Sequence, residues 1–187
     1  MEHHHKFLYS EAERRKNQDP ESILRLAGLK AGMCFIDSGC NDGFFTLPAA
    51  RIVGDSGKVY AIDIDIEALE RLRNKLDQEA IKNTEIINQP SEEVLLEGIE
   101  ADIIFYGIVL HDFYDPLRVL INSKQMLKSG GIIFDFDWQK KEGEFGPPYE
   151  KRFSPEHVKE LANRSGLTVK SIKIIDADFY SIILQAN

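Results

Sequence analysis

The chain has 187 residues, 43% of them hydrophobic, and a formal net charge of −8. That length suffices for one compact domain with a sizeable core, and the acidic balance argues against broad phosphate contacts with DNA or RNA. No apolar stretch approaches the roughly 20 residues that cross a bilayer, the first residues lack the apolar core of a signal peptide, and the two cysteines, Cys34 and Cys40, offer neither a disulfide framework nor Cys-x-x-Cys metal spacing.

A single domain over residues 1–187, located in the cytoplasm, is the expectation. Three adjacent histidines cannot all aim at one ion on regular secondary structure, so His3-His4-His5 reads as a solvated end or a remnant tag, and no metal site is predicted. Arg14-Arg15-Lys16 reads as a solvated helix face, with a local basic patch as the alternative.

From there apolar runs alternate with helical patterns, the signature of a mostly parallel sheet covered on both faces. Met33 to Asp37 is the first predicted strand and Phe44 to Val53 the helix after it. Lys58 to Asp63 is the second strand. Ile66 to Leu76 follows as an amphipathic helix, with Ile66, Leu69, Leu72 and Leu76 at three- and four-residue spacing. Thr84 to Asn88 is a short third strand, and Ser91-Glu92-Glu93 reads as a helix start capped by Ser91. Asp102 to Gly107 is the fourth strand. Pro116 to Leu127 is a helix stopped by Ser129-Gly130-Gly131, and Ile132 to Asp137 is the fifth strand. Ser154-Pro155-Glu156 opens a helix that Gly166 ends. Thr168 to Ile175 and Phe179 to Gln185 are the last strands. Asp176-Ala177-Asp178 between them is too short for a parallel crossover, so this pair is predicted antiparallel.

The densest chemical signal is Phe35-Ile36-Asp37-Ser38-Gly39-Cys40-Asn41-Asp42-Gly43-Phe44. An apolar strand ends in an acid, and a glycine-bracketed turn leads into a helix. Such a loop lets backbone and helix-opening amides approach a small charged ligand. A dinucleotide fingerprint, G-x-G-x-x-G, fits poorly. Asn41 and Phe44 stand where a close pyrophosphate approach needs small residues. Asn41 tolerates left-handed backbone angles, so the turn itself survives.

The stretch resembles instead the first motif of class I S-adenosylmethionine (SAM) dependent methyltransferases, apolar-Asp-x-Gly-x-Gly-x-Gly, with Asn41 replacing the middle glycine. Five strands with intervening helices and a closing antiparallel hairpin extend the likeness from Ile23 to Leu184. The resemblance implies an α/β, Rossmann-like, seven-stranded sheet in the order 3-2-1-4-5-7-6, with strand 7 antiparallel and helices on both faces. It also implies a cap segment over residues 1–30 in front of a SAM-binding core over 31–187.

Carried over residue by residue, the family's cofactor site comprises Asp37, Ser38, Gly39, Asn41, Gly43, Asp63, Ile64, Ser91, Glu92, Tyr106 and Gly107. Asp63 ends the second strand about 20 residues past the loop, where a carboxylate accepts from ribose hydroxyls. Asp65 is its rival, and also a candidate helix N-cap. Asp37 would lie near the methionine ammonium, or serve only as a helix-dipole partner. Ile64 would pack on adenine, Ser91 and Glu92 would lie at the adenine edge, and Tyr106 and Gly107 would offer backbone carbonyl to the ammonium. Past the fourth strand, His111 is a candidate base for an acceptor, or a histidine packed under the loop, and Asp137 ends the fifth strand at the same lip. Trp138 would wall the acceptor pocket, and Gly146-Pro147-Pro148-Tyr149 would be a rigid loop over it.

Leu110-His111, Asp115-Pro116, Lys128-Ser129-Gly130-Gly131 and Asp137-Trp138-Gln139-Lys140-Lys141 resemble the quinone-biosynthesis and arsenite methyltransferase branch, and two cysteines are too few for arsenite chemistry. The reading is a methyltransferase moving a methyl group from SAM to a small-molecule acceptor, with S-adenosylhomocysteine as product and no nucleic-acid or membrane partner. A non-catalytic SAM-binding module and a nicotinamide-dependent oxidoreductase are the alternatives.

Overall fold

The computed structural model describes residue 14, residues 18–143 and residues 145–186; the histidine run and residues 15–17 lie outside them. Seven strands follow in chain order: β1 (Cys34–Ser38), β2 (Lys58–Asp63), β3 (Thr84–Asn88), β4 (Ala101–Gly107), β5 (Leu127–Trp138), β6 (Leu167–Ile174) and β7 (Phe179–Ala186). The helices are α1 (Pro20–Leu26), α2 (Thr46–Val53), α3 (Ile66–Gln78), α4 (Pro116–Met126) and α5 (Pro155–Ser165), with a 3-10 turn at Leu110–Asp112.

The strands make one sheet in the order 3-2-1-4-5-7-6. β1 to β5 run parallel, while β7 is antiparallel to both β5 and β6. The turn into β7 is tied by Asp176, whose Oδ1 accepts from the amides of Asp178 (2.7 Å) and Phe179 (2.9 Å). An Asx turn of this kind reverses the chain within a few residues.

Alternation along the strands separates two cores. Phe35, Phe105, Phe134 and Phe136 face one side, where Ile23 and Leu24 of α1 and Ala49 and Val53 of α2 cover them. Ile36, Ile104, Tyr106 and Ile133 face the other, beneath Val119 and Leu120 of α4 and Val158 and Leu161 of α5. α3 buries Leu69, Leu72 and Leu76 of the predicted stripe together with Ala68, while Ile66 in its first turn is exposed, and Asp65 caps it by accepting from Glu67 N (3.0 Å) and Ala68 N (3.1 Å). α5 begins on Ser154, whose side chain accepts from His157 N, and ends on Gly166 at φ 74°.

Three predicted boundaries are corrected. α2 starts at Thr46, not Phe44, because residues 41–45 are turns and the Phe44 and Phe45 rings are buried in the first core. α4 stops at Met126, and Leu127 already has extended angles (φ −76°, ψ 135°). β5 therefore begins five residues before Ile132, and residues 128–131 bulge opposite Asp102 between the Ala101–Leu127 and Ile103–Ile132 pairings. Ser91-Glu92-Glu93 forms a turn rather than a helix, closed by Glu93 N donating to Pro90 O (2.9 Å). Ser91 caps nothing there; its hydroxyl is bonded to Ser38.

Among the described residues no helix is long and apolar enough to cross a membrane.

Candidate active site

β1 pairs on one side with β2 and on the other with β4, so the chain direction of the crossovers reverses between β1 and β4. The carboxyl ends of β1, β2, β3, β4 and β5 share one edge, and the crevice outside such a switch point is where open α/β sheets take ligands. Every predicted site residue lies on or just beyond these strand ends.

The glycine loop is held by the backbone. Gly39 N and Cys40 N both donate to Ile62 O (2.8 and 3.0 Å), which ties the loop to β2. Gly39, Asn41 and Gly43 have φ of 80°, 48° and 92°. A Cβ on Gly39 would sit 2.4 Å from Val109 Cγ2, so only glycine fits. Asn41 takes the left-handed turn, and its Oδ1 accepts from Asp42 N at 2.7 Å.

Asp63 stands at the β2 tip. Its carboxylate accepts from Asn41 N through Oδ2 (2.7 Å) and from Asp65 N through Oδ1 (2.9 Å). The acid is thereby fixed between the glycine loop and the start of α3, while Asp65 is engaged as the cap. Asp37 is buried, and its Oδ2 accepts from Thr46 Oγ1 at 2.6 Å. Burial pushes its carboxyl up to about 7; the Thr46 hydrogen bond pulls the other way and the Asp63 charge adds to the rise. Thr46 was not singled out from the sequence, although a hydroxyl residue opening the helix behind the loop was a signal for it. Arg14 reaches this end as well. Its guanidinium lies 3.9 Å from the Phe44 ring centroid, which replaces the solvated helix face expected for it.

Beyond β2, Ile64 is 69% exposed, an apolar side chain standing out at a strand end. Asn88 Nδ2 donates to the carbonyls of Asp63 and Ile64 (both 3.1 Å) and holds that tip. Ser38 Oγ donates to Ser91 Oγ at 2.8 Å, joining the glycine loop to the loop after β3. Glu92 Oε1 accepts from the amides of Tyr114 (2.8 Å) and Asp115 (3.3 Å), so its carboxylate faces the segment beyond β4.

At the other half of the edge, β4 ends at Gly107 and Ile108 adopts φ 62°, rare for a β-branched residue and costing about 1–3 kcal/mol. The strand ends where the sequence predicts, at Gly107, and the twist at Ile108 turns the chain into the 3-10 turn that carries His111. The Tyr106 side chain points into the second core, with its hydroxyl 2.6 Å from Ser123 Oγ.

His111 and Asp137 come together. Nδ1 lies 2.7 Å from Asp137 Oδ2, and both side chains are only 2% exposed. A carboxylate only accepts, so Nδ1 carries the hydrogen. Nε2 lies 3.5 Å from Asp112 Oδ2. Burial disfavours the imidazolium, but the Asp137 charge and hydrogen bond, with Asp112, outweigh it and hold His111 above its ordinary value.

Behind this pair Asp135 is fully buried. Oδ2 is 3.4 Å from the Tyr180 hydroxyl and Oδ1 has no protein partner. Burial, then the Asp137 charge, push its carboxyl well above the usual range. Neither Asp135 nor Tyr180 was singled out from the sequence, since an acid and a phenol inside apolar strands carry no local pattern.

Trp138 does not wall an open pocket. It is 6% exposed, with its ring 4.4 Å from Phe179 and Gly146 packed against its indole. Arg152, also missed, is buried over Trp138 and donates to the carbonyls of Gln139, Lys141, Phe145 and Pro147, pinning the loop after β5. Among the described residues no group of three or more His, Cys, Asp and Glu is placed to hold a metal ion.

A glycine loop under a switch point, an acid at the β2 tip and a seven-stranded sheet with β7 reversed define the class of adenosyl-ligand α/β proteins. A family model described as a methyltransferase domain matches residues 29–179, and the chain belongs to that family. A solved SAM-dependent methyltransferase from Aquifex aeolicus superposes with a TM-score of 0.83 at 27% identity, over 94% of this chain and 98% of that one. A demethylmenaquinone methyltransferase of Lactococcus lactis is 32% identical over 110 residues, 59% of this chain and 44% of its own length. A probable cobalt-precorrin-6B C(15)-methyltransferase of Sulfolobus acidocaldarius is 38% identical over 111 residues, 59% of this chain and 56% of its own. The chain spans about half the length of these two curated relatives. The cofactor of the family is SAM, which places the chain apart from nicotinamide-dependent oxidoreductases.

Proposed function

We propose that this chain transfers the methyl group of SAM to a small organic acceptor, with His111 taking the acceptor's proton. The observation that carries the reading is the juxtaposition, across one switch point, of a strand-tip acid beside a glycine loop and a buried imidazole–carboxylate pair. The named relatives act on demethylmenaquinone and a cobalt-precorrin, and a small organic acceptor is the class that fits them. The net charge of −8 disfavours nucleic acid. The reading includes one cytoplasmic domain with a cap segment over residues 1–30, of which residues 1–13 and 15–17 lie outside the described residues.

Asp63 would accept from the ribose hydroxyls, Ile64 would cover the adenine face, and Ser91 would border the adenine edge, whereas the Glu92 carboxylate predicted beside it is turned to the amides of Tyr114 and Asp115. Ser38, Gly39, Asn41 and Gly43 would form the floor, and Asp37, Tyr106 and Gly107 would face the methionine ammonium. When bound, SAM supplies a methyl group already activated on a cationic sulfur, open to in-line displacement. The chain has then to align the acceptor, exclude water and accept a proton. Asp137, holding Nδ1–H, would fix the tautomer of His111 so that Nε2 is the nitrogen that accepts, and would stabilise the imidazolium that results. Asp112 lies between this nitrogen and Lys151, with Oδ2 3.5 Å from Nε2 and Oδ1 3.5 Å from Lys151 Nζ.

The 2% exposure of the His111 side chain favours a second reading, a histidine that only braces the loop between Asp112 and Asp137. Calorimetry with SAM, S-adenosylhomocysteine, NAD and ATP tests the cofactor half. The adenosyl sulfur ligands should bind well ahead of the others, and equal or better NAD binding sinks the reading. Transfer of labelled methyl from SAM to a panel of phenols, quinols and carbon acids tests the acceptor half; incorporation into none of them leaves the non-catalytic binding module standing.

A further inference from the structure

The loop after β3 and the segment after β4 are joined by one carboxylate. Ser91 is buried and bonded to Ser38 of the glycine loop. The next residue, Glu92, reaches the opposite way, and its Oε1 accepts from Tyr114 N (2.8 Å) and Asp115 N (3.3 Å). Its main-chain carbonyl accepts from Asn122 Nδ2 of α4 at 2.7 Å. Tyr114 and Asp115 follow the 3-10 turn that carries His111, and the Asp115 side chain caps α4 by accepting from Arg118 N (2.9 Å). The Tyr114 side chain is 99% exposed and anchors nothing, so this stretch of backbone is held by Glu92 on one side and by the Phe113 ring against Tyr106 on the other. Two hydrogen-bonded contacts, Ser38 to Ser91 and Glu92 to the amides of Tyr114 and Asp115, joined by the Ser91–Glu92 peptide, thus connect the glycine loop to the segment bearing His111.

We propose that Glu92 is a positioning residue that makes residues 113–115, and with them His111, respond to occupancy of the adenosyl site. A ligand that orders Ser38 and Ser91 fixes the turn at 91–93. That fixes the direction in which the Glu92 carboxylate points, and the amides of Tyr114 and Asp115 follow. The order of events is then cofactor first, acceptor lip second. The inference rests on the SAM-binding reading above and assigns Glu92 a task other than touching the cofactor.

The test is hydrogen–deuterium exchange over residues 110–116, with and without saturating S-adenosylhomocysteine, in wild type, Glu92→Ala and Glu92→Gln. In the wild type the ligand should slow exchange at Tyr114 and Asp115 about tenfold or more. In Glu92→Ala that slowing should vanish while ligand affinity by calorimetry stays within about threefold. Glu92→Gln, whose amide oxygen accepts from the same N–H groups, should restore it. The inference is overturned if Glu92→Ala lowers protection but keeps the ligand-induced factor, which is the behaviour of a static brace. It is equally overturned if the variant loses more than about thirtyfold in ligand affinity, which makes Glu92 a cofactor contact. Bound ligand without any response at 113–115 in the wild type sinks this inference alone, whereas no ligand binding at all sinks the reading it rests on.

Discussion

The two halves of the ligand edge use carboxylates in opposite ways. At the β1–β2 half, Asp63 accepts two main-chain amides from residues of adjoining turns and lies at a partly exposed strand tip. At the β4–β5 half, Asp137 is buried and bonded to a side chain 26 residues earlier in the chain, with a second acid, Asp135, two residues away inside the sheet. Backbone amides supply fixed dipoles at little cost in side-chain entropy and suit a ligand recognised by shape. A buried imidazole–carboxylate pair suits a proton transfer, because low solvent exposure strengthens the charge coupling and moves the imidazole titration. On the proposed function, a division of labour between recognition and proton handling would follow from how each half satisfies its charges.

The sharpest test of the first half is Asp63→Ala. On the proposed role, two ribose hydrogen bonds to the carboxylate are lost, so SAM affinity should fall by about 2–4 kcal/mol, roughly 30- to 1000-fold, in calorimetry, with the fold retained. Unchanged affinity would erase the contrast between the halves.

For the second half, His111→Gln should lower turnover about 10²-fold or more and leave SAM affinity within a small factor. In the wild type the rate should climb with pH through the imidazole titration, at a midpoint above the ordinary value of about 6.5. Asp137→Asn should move that midpoint down, since the Asp137 charge is the strongest influence raising it. An imidazole NMR titration reads the same shift without an acceptor. The sign for stability follows: with its value raised on folding, His111 stabilises the protein below about pH 6.5, and that contribution is lost as pH rises through the folded value. If His111 is only a brace, His111→Gln should lower the melting temperature and leave the pH–rate profile unaltered.

A smaller effect joins the halves at Asp37. With its carboxyl near 7, Asp37 keeps a proton below that pH, and the cationic ligand group that the proposed function puts beside it would displace that proton. SAM affinity should rise by about tenfold, or about 1.4 kcal/mol, between pH 6 and pH 8. Calorimetry at pH 6 in buffers of different ionisation enthalpy should show close to one proton released. A binding enthalpy independent of buffer would mean that Asp37 does not meet the ligand.

The smallest expected change separates the two acids of Asp63-Ile64-Asp65. Asp65→Ala should cost about 1 kcal/mol of stability through the lost cap of α3. SAM affinity should stay within about threefold, read from denaturant melts and calorimetry on the same samples.

Much of the recognition half was legible because its signals are local. The Asp37-to-Gly43 turn needs glycines for positive φ and close approach, and Gly39 and Gly43 satisfy both demands within a few residues. Period-two and period-3.6 patterns placed the strands, and three residues between the last two runs sufficed to make β7 antiparallel. The errors fall where a long-range contact outvotes a local pattern. Ser91 looked like a cap and was taken by Ser38 across the sheet, and Trp138 looked like a lip residue and was taken by Phe179 and Arg152.

By itself, then, the sequence determined the order and period of the elements, the backbone shape of the glycine loop and the acid at the tip of β2. Each of these is set by sterics and hydrogen bonds among near neighbours. Only the tertiary structure decided which side chains meet: His111 with Asp137, Thr46 with Asp37, Glu92 with the amides of Tyr114 and Asp115, and Arg152 with four carbonyls of its own loop. The His111–Asp137 pair arises because the strand order sets the ends of β4 and β5 side by side, and adjacency in a sheet is a property of the packed molecule that no short window of sequence encodes.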